Sequence, residues 1–369
     1  MRILFAVLFG ILSSTLAWCF PEMVRHGYVN CTTCHVSPTG GGVLNPYGRQ
    51  LSKEVLSTWG TGDTEEYMFA YGVVKPPEWL NMMGMVRTLY LYQNNPFFIQ
   101  GQTIFMQGDL EASANYKKWT LDATLGYQNP GGSNSFLNYL ISRRHFINYR
   151  PTDELSFRVG RFYPAFGIQT PDHNIPTKQA LGWDQSMETY NVEAAWIGER
   201  WNLFLTGVLG RPDQPSLNRE TGFAATPSLA IDDTYKVGLS YYYGNGLTTS
   251  RNVEGIWGIL GFTHHLFLLT EWDLQEQSSK TNVFPTQTGA VNYQRFDYEL
   301  LQGLHFYLTQ DLSQLDFTNA QSLTHSYGFG TQFFPRPHFE INVSWQKQRS
   351  IAISNDYTDF AWAMLNFYL

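Results

Sequence analysis

The chain has 369 residues, of which 43% are hydrophobic and 16% aromatic but only 15% charged, whereas roughly 25% of residues are charged in ordinary soluble proteins. This deficit indicates that something other than water covers part of the surface. The net charge of -7 excludes the basic field that nucleic-acid binding requires. Beyond the N-terminus, no apolar run approaches the ~20 residues of a transmembrane helix. If the protein lies in a membrane, it is not a helical membrane protein.

The first 19 residues have the features of a secretory signal peptide. A positive start is followed by an apolar stretch and then by small residues, ending near Ala17. A retained anchor and a lipid attached to Cys19 are the alternatives. Export would place Cys31 and Cys34 in an oxidising compartment, where two cysteines normally form a disulfide.

The motif Cys31-Thr32-Thr33-Cys34-His35 permits several interpretations. A disulfide does not need His35, a thioredoxin-like pair needs a βαβ context, and a zinc site needs two more ligands nearby. Covalent attachment of a c-type haem uses every residue of the motif. The two thiols would bond the vinyl groups, and the imidazole of His35 would be the proximal iron ligand. The sequence therefore predicts one covalent haem c.

The sixth iron ligand is open between two main candidates. His26 lies five residues before the motif and could fold over the distal face, or it could be a plain surface histidine. Met68 lies in a short helix predicted over 64–71, and Met23 is also near. The choice matters because axial ligands set much of the redox potential of a haem.

Residues 20–79 are predicted to form a small helical and irregular haem segment. Three consecutive glycines, Gly40 to Gly42, permit close approach of the backbone to a flat group. The stretch from Leu44 to Arg49 resembles the loop after the haem motif in small class I cytochromes. By that resemblance Arg49 would contact a haem propionate. The alternative is a solvated charge at the start of a helix predicted over 49–58.

From Leu80 onward, apolar and polar residues alternate, as in 104–115 and 339–346. Period two over ten or more residues puts one strand face in an apolar medium and the other in a polar one. Strands of this length, apolar outside and polar inside, are the signature of an outer-membrane barrel. The alternating apolar face of 361–369 resembles the C-terminal strand signal of such proteins. The predicted fold is therefore an all-β transmembrane up-and-down barrel over residues 80–369.

The alternation of short turns and long loops predicts sixteen strands. The count becomes fourteen if 221–230 is not a strand, because Pro227 favours an edge or a bulge. A sixteen-stranded barrel can leave an aqueous lumen or hold a plug, and residues 20–79 have a suitable size for a plug or a cap. Long loops are predicted over 93–102 and 164–186, among others. The stretch 161–167 before the longest loop resembles phosphate-selective porins, which suggests an inward-folding constriction.

Several charged residues have two readings. The cations Arg143, Arg144, His145 and Arg158 could hold propionates or acidic plug residues such as Glu65 and Glu66, or could form an ordinary arginine ladder in the pore. His264 and His265 could bind a metal but fit a solvent-exposed turn better.

The whole plan resembles the fused cytochrome-porins of the bacterial outer membrane, some of which are proposed iron oxidases. The resemblance rests on the signal, the Cys31–His35 motif, the stretch from Leu44 to Arg49 and the barrel. It implies an electron conduit in the outer-membrane bilayer between a periplasmic cytochrome and an extracellular donor or acceptor, with iron as one candidate and metal oxidation as the enzymatic variant. A diffusion porin for small solutes, whose haem segment is a plug, sensor or tether, is the rival, and a soluble periplasmic haem protein is a third interpretation.

Overall fold

The structure is a computed structural model that describes residues 21–60, 69, 73–127, 139–172, 175–183, 188–213 and 219–369. The predicted signal peptide, Met68 with most of its predicted helix, and Glu65 and Glu66 lie outside the described residues. Among the helices that are described, none is long and apolar enough to cross a membrane.

The described residues contain seventeen strand segments in one antiparallel sheet. They are β1 (Leu80–Asn95), β2 (Phe98–Tyr116), β3 (Trp119–Tyr127), β4 (Leu140–Ile141), β5 (His145–Tyr149), β6 (Leu155–Phe162), β7 (Thr189–Ile197), β8 (Trp201–Gly210), β9 (Thr221–Ala230), β10 (Tyr235–Asn245), β11 (Thr249–Gly261), β12 (Leu266–Ser279), β13 (Gln287–Leu301), β14 (Leu304–Gln314), β15 (Leu323–Arg336), β16 (Phe339–Ser350) and β17 (Thr358–Tyr368). Because β4 and β5 both pair with β3, they are two parts of one barrel strand. Pairing of β1 with both β2 and β17 closes the sheet. The predicted sixteen-stranded barrel is confirmed.

The strands form because their side chains alternate between two media. On β7, Val192 and Trp196 point outward and are half exposed, whereas Asn191 and Glu193 point inward and are buried. The same inversion, with large apolar side chains outside and buried polar ones inside, recurs around the barrel. This is the pattern of an outer-membrane barrel, whose exterior contacts lipid. The protein is therefore a β-barrel of the outer-membrane type.

Two details of the barrel differ from the sequence-based expectation. The predicted loop over 93–102 is mostly strand, because β1 and β2 continue to a tight turn in which Asn95 Oδ1 accepts from the backbone N–H groups of Phe97 and Phe98 at 2.9 and 3.1 Å. Strands that extend into water on both faces lose the alternation that reveals them. Pro227 lies within β9, where the ladder to β10 is interrupted between Ala225 and Ser228, since proline has no N–H to donate.

The long loop after β6 lies inside the barrel. The backbone N–H of Gly167 donates to Ser240 Oγ at 2.8 Å, and that of Ile168 donates to Glu271 Oε2 at 2.9 Å. The carbonyl of Ala165 accepts from Thr226 Oγ1 at 2.8 Å. These bonds attach the loop to the inner wall, so the inward fold expected for it is observed. We call the described loop residues, 163–172 and 175–183, the inward loop.

Residues 21–60 fill the short-turn end of the barrel, and we call them the plug. The plug contains 3-10 helices over Pro21–His26 and Cys31–Thr33, an α-helix, α1, over Pro46–Leu51 and a π-helical turn over Ser52–Leu56. Helix was expected over 49–58, so the observed helical stretch begins three residues earlier and ends two residues earlier. The plug bonds to the short turns: Asn30 Nδ2 donates to Gly198 O at 2.8 Å and Thr58 N donates to Phe334 O at 2.9 Å. Short turns face the periplasm in bacterial outer-membrane barrels, so the plug lies at the periplasmic end.

Candidate functional site

A cavity of about 350 Å³ lies between the plug, the inward loop and the barrel wall. Cys31, Cys34 and His35 line it from the plug, and all residues from Phe162 to Pro171 except Pro164 line it from the barrel and inward-loop side. We call it the cysteine cavity. The three residues of the sequence motif therefore face a shared internal space in the periplasmic half of the barrel.

The local fold holds the motif on one turn. The N–H groups of Cys34 and His35 both donate to Cys31 O, at 3.2 and 2.9 Å. Asn45 supports the turn from the other side, because its Nδ2 donates to Thr33 O at 2.9 Å while its Oδ1 accepts from Gly48 N at 2.8 Å and caps α1. Within the described residues, the two sulfurs are not joined in a disulfide. Both thiols and the imidazole are thus presented together.

Glycine is required at two positions around the motif. Gly40 has φ of +80°, and a Cβ there would lie 3.3 Å from both Cβ and Sγ of Cys31. Gly48 lets α1 approach so closely that a Cβ would overlap the carbonyl of Cys34. The chain therefore winds tightly around the two cysteines, and an alanine at either place would displace them.

The walls of the cysteine cavity are mostly apolar. Apolar side chains line it from the plug, from several barrel strands and from the inward loop, among them Met23, Val24, Leu44, Leu51, Met83, Met85, Phe166, Ile168, Trp257 and Ile259. Most ligand sites combine such a lining with a few placed polar groups. The lining would exclude water from a large apolar ligand.

The charged residues that line the cysteine cavity are three arginines, Lys236 and Glu340, and two of the arginines are deeply buried. Arg158 is 2% exposed, its Nη1 donates to Ser37 Oγ at 2.9 Å and its Nη2 to Glu193 Oε1 at 2.7 Å. Arg87 is 5% exposed and donates from Nη1 to Pro171 O at 3.3 Å. The Nε atoms of Arg87 and Arg158 are buried and have no hydrogen-bond partner among the described residues. A buried donor without an acceptor costs about 1–3 kcal/mol, and an anionic group that reached either Nε–H would relieve that cost.

These features fit a c-type haem. Two thiols and one imidazole on a single turn match its covalent and axial attachments, the apolar walls match its macrocycle, and the two unsatisfied guanidinium N–H groups match its two propionates. The residues that would hold the group are Cys31, Cys34, His35, Arg87 and Arg158.

A second cavity, of about 1040 Å³, lies nearer the long-loop end. The inward-facing residues of β1 show that the two cavities lie in series, because Met83 and Met85 line the cysteine cavity whereas Leu89 and Leu91 line the second one. Asp172 of the inward loop, which lines this cavity, approaches Arg295 of β13 at 3.4 Å. We call this cavity the vestibule.

A buried polar network lies beside the vestibule in the barrel wall. Arg295 Nη2 donates to Gln332 Oε1 at 2.5 Å, Gln332 Nε2 donates to Glu340 Oε1 at 2.7 Å, and Asn366 Nδ2 donates to Glu340 Oε2 at 2.9 Å. Glu340 and Asn366 also line the cysteine cavity. The network therefore fills the lumen side of β13 to β17 between the two cavities.

Comparison with known proteins identifies the fold. OmpT of Vibrio cholerae matches with a TM-score of 0.61 at 8% identity, over 80% of this chain and 99% of that one. The outer membrane channel DcaP of Acinetobacter baumannii matches with a TM-score of 0.56 at 9% identity, over 79% of this chain and 97% of that one. An anion-selective porin from Comamonas acidovorans matches with a TM-score of 0.58 at 8% identity, over 79% of this chain and 99% of that one. The barrel has the porin fold. No family model matches the sequence, and no curated protein matches it.

Inside this porin-fold barrel, His26 lies away from the cysteine cavity. Its ring stacks on that of His264 with 5.6 Å between centroids, and its Nε2 accepts from Arg25 Nε at 3.0 Å. Burial, with the positive charge of Arg25 nearby, lowers the pKa of His26 to about 3. The structure therefore does not bring His26 to the motif; Met23, by contrast, lines the cavity directly.

Arg49 also points away from the cysteine cavity. Its Nη2 donates to Met82 O, its guanidinium carbon lies 5.9 Å from the ring centroid of Phe69, and burial lowers its pKa to about 10. The expected contact with a propionate is not formed by this arrangement, in which Arg49 fastens the plug to β1.

The predicted lumen cations divide into two groups. Arg144 and Arg158 line the cysteine cavity, whereas Arg143 pairs with Asp109 at 3.0 Å and His145 bonds to Ser142 Oγ at 2.8 Å. Their proposed acidic plug partners lie outside the described residues.

Sequence reasoning missed Arg87, Met83 and Met85 on β1. One signal could have found them: on a strand whose inward side chains should be polar, two methionines occupy inward positions.

Proposed function

We propose that the protein is an outer-membrane electron conduit whose plug carries one covalent haem c. The observation that carries the proposal is the cysteine cavity itself, with Cys31, Cys34 and His35 on one wall and the unsatisfied N–H groups of Arg87 and Arg158 on the others. Bound there, the haem would supply one-electron oxidation and reduction.

Each group of residues has a defined part in this proposal. The two thiols would attach the cofactor, His35 would ligate the iron, and Arg87 and Arg158 would hold its acidic edge. The apolar walls exclude water, which strengthens electrostatic interactions inside the cavity. Met23, Met83 and Met85 are the described methionines on the cavity wall and are the candidates for a sixth ligand, together with Met68; His26 lies away from the cavity.

The location of the cavity supports transfer across the membrane. The plug lies at the periplasmic end, where a periplasmic cytochrome could approach, and the vestibule lies toward the outside, where an extracellular donor or acceptor such as iron could enter. A hydrocarbon layer about 30 Å thick separates the two solutions. A redox centre inside the barrel shortens the distance that an electron must cross.

The test uses the full-length protein in liposomes with a redox dye trapped inside and a membrane-impermeant reductant outside. We expect a c-type absorption band, its reduction from outside, and then reduction of the trapped dye. The matched control replaces both attachment residues, Cys31→Ala with Cys34→Ala, in the same barrel. A wild-type protein without a haem band, or one whose dye reduction equals that of the control, would overturn the proposal.

A second candidate function is a diffusion channel for small solutes, in which the plug is a stopper, sensor or tether. The observations that favour it are the vestibule and the likeness to porins. Ion conductance of the same liposomes separates the two functions: a channel conducts ions with the plug in place, whereas a plugged conduit conducts few.

A further inference from the structure

Three packed aromatic side chains connect the cysteine cavity to the long-loop end of the barrel. Phe166 lies on the cavity wall, and its ring centroid is 5.4 Å from that of Trp183 in the inward loop. Trp183 in turn meets Tyr242 of β10 edge to face at 4.6 Å. We call Phe166, Trp183 and Tyr242 the aromatic bridge.

The bridge leads from the cysteine cavity toward the long-loop end, although its centroid separations of 5.4 and 4.6 Å make the path through the three rings a short one. On β10, Lys236 lines the cysteine cavity, and Tyr242 lies six residues further toward the long-loop end, which is about 20 Å along a strand. Phe166 and Tyr242 are each 2% exposed. Trp183 between them is partly buried, so the three rings form a continuous packed path that begins at the cavity wall and continues toward the long-loop end.

The groups at the outer end of the bridge determine how it could act. The guanidinium carbon of Arg251 lies 5.2 Å from the ring centroids of both Trp183 and Tyr242. Its charge is paired with Glu220, whose Oε2 accepts from Arg251 Nε and from the Tyr242 hydroxyl, each at 2.9 Å. Trp183 Nε1 is buried and has no hydrogen-bond acceptor among the described residues, so loss of its proton is unfavourable. Proton loss therefore does not assist oxidation of the Trp183 ring, which favours its action as a medium for tunnelling.

We propose that the aromatic bridge is the electron path between the cysteine cavity and the extracellular end, with Trp183 as its central member. The inference rests on the proposed function. One electron would leave an external donor, which is oxidised, and would be accepted by the haem that Cys31, Cys34 and His35 would hold; no bond changes and no proton moves at the bridge. Electron tunnelling weakens exponentially with distance, and more steeply through a gap than through packed atoms, so the loss of the central ring should slow this transfer.

The experiment compares Trp183→Leu, Trp183→Phe and wild type in outer-membrane vesicles whose long-loop end faces outward. Stopped-flow absorbance follows haem reduction by an impermeant reductant added outside, and reduction from the periplasmic side is measured separately. We expect Trp183→Leu to slow reduction from outside on the order of tenfold at an unchanged midpoint potential. The haem spectrum and the periplasmic rate should not change, Trp183→Phe should restore most of the rate, and no indole radical band should appear.

The control is Trp362→Leu, because Trp362 of β17 lines the vestibule but is not part of the bridge. Slowing by Trp362→Leu without slowing by Trp183→Leu would place the path through the vestibule and overturn the inference. Equal slowing by Trp183→Leu and Trp183→Phe would attribute the effect to a displaced loop and also overturn it. Absence of haem from every variant would instead refute the proposed function.

Discussion

Replacement of Arg25 by methionine should loosen the plug. Arg25 is 2% exposed, and its Nη2 pairs with Glu299 Oε2 of β13 at 2.7 Å. Removal of one partner of a buried ion pair typically costs about 3–5 kcal/mol, because the other charge stays buried. Glu299 keeps a bond from Gly303 N to Oε1 at 2.9 Å and lies 3.6 Å from His305 Nε2, and methionine can still pack on Phe267. The lower value of about 3 kcal/mol is therefore expected.

That free energy can be measured as a change in plug docking. A cost of about 3 kcal/mol raises the undocked fraction roughly 10²-fold. Limited trypsin digestion reads this fraction when docking is fast relative to cleavage. Cleavage after Arg49 is suitable because that side chain is buried and bonded to β1 in the docked plug. We expect its rate in Arg25→Met to rise by about the same factor.

Two further variants make the result specific. Arg25→Met combined with Glu299→Gln removes both charges and should return the cleavage rate to within about tenfold of wild type, since no buried charge remains unpaired. Arg200→Met changes an exposed arginine in a periplasmic turn and should have no effect. An unchanged rate in Arg25→Met, or a double variant as labile as the single one, would refute the reasoning.

Three other predictions concern the plug and its cofactor. Arg158→Met should lower the midpoint potential of the bound haem, since a nearby positive charge favours the ferrous form. Spectroelectrochemistry measures this potential, with Arg143→Met as the control variant. A potential equal to or higher than that of the control would contradict the prediction. Gly40→Ala should destabilise the plug by roughly 1–2 kcal/mol, because alanine is disfavoured in the left-handed backbone conformation of this position. The variant should carry less covalent haem at an equal yield of folded barrel, and full haem content would contradict the prediction. The pKa of His26 falls from 6.5 to about 3 in the folded protein. Because the undocked plug binds the proton more readily, docking should weaken as pH drops below 6.5 toward 3. Amide hydrogen exchange of the plug tests this, and an equally steep pH dependence in His26→Gln would contradict it.

The sequence was sufficient to predict the barrel because strand periodicity is a local property. Even 221–230 was identified as a strand, although it contains Pro227, because a turn and a long loop on either side required one between them. Prediction failed at 93–102, where both strand faces meet water and no alternation remains. The strands can thus be predicted from the alternation of their residues, but only where one face contacts lipid and the other faces the lumen.

The candidate site was only partly predictable. The Cys31–His35 motif is local, since its chemistry needs neighbours in the chain. His26 is also near in sequence, yet the helix over Pro21–His26 ends at Gly27, whose φ of +89° turns the chain, and the imidazole lies beside His264. The roles of Arg87 and Arg158 depend on which inner faces meet the plug. That information is present in no short stretch of the sequence.

The anchor formed by Arg25 and Glu299 also distinguishes the two functions considered for this barrel. In a diffusion channel, a looser plug should increase solute flux, because the plug is an obstacle. In an electron conduit, the same loosening should increase ion leakage but slow the reduction of a trapped dye, because the cysteine cavity is formed jointly by the plug and the wall. Arg25→Met therefore changes ion flow in the same direction under both hypotheses and electron flow only under one. If Arg25→Met leaks ions and reduces the trapped dye more slowly than wild type, the result would favour the conduit. If Arg25→Met leaks ions and neither it nor wild type reduces the dye, the result would favour the channel.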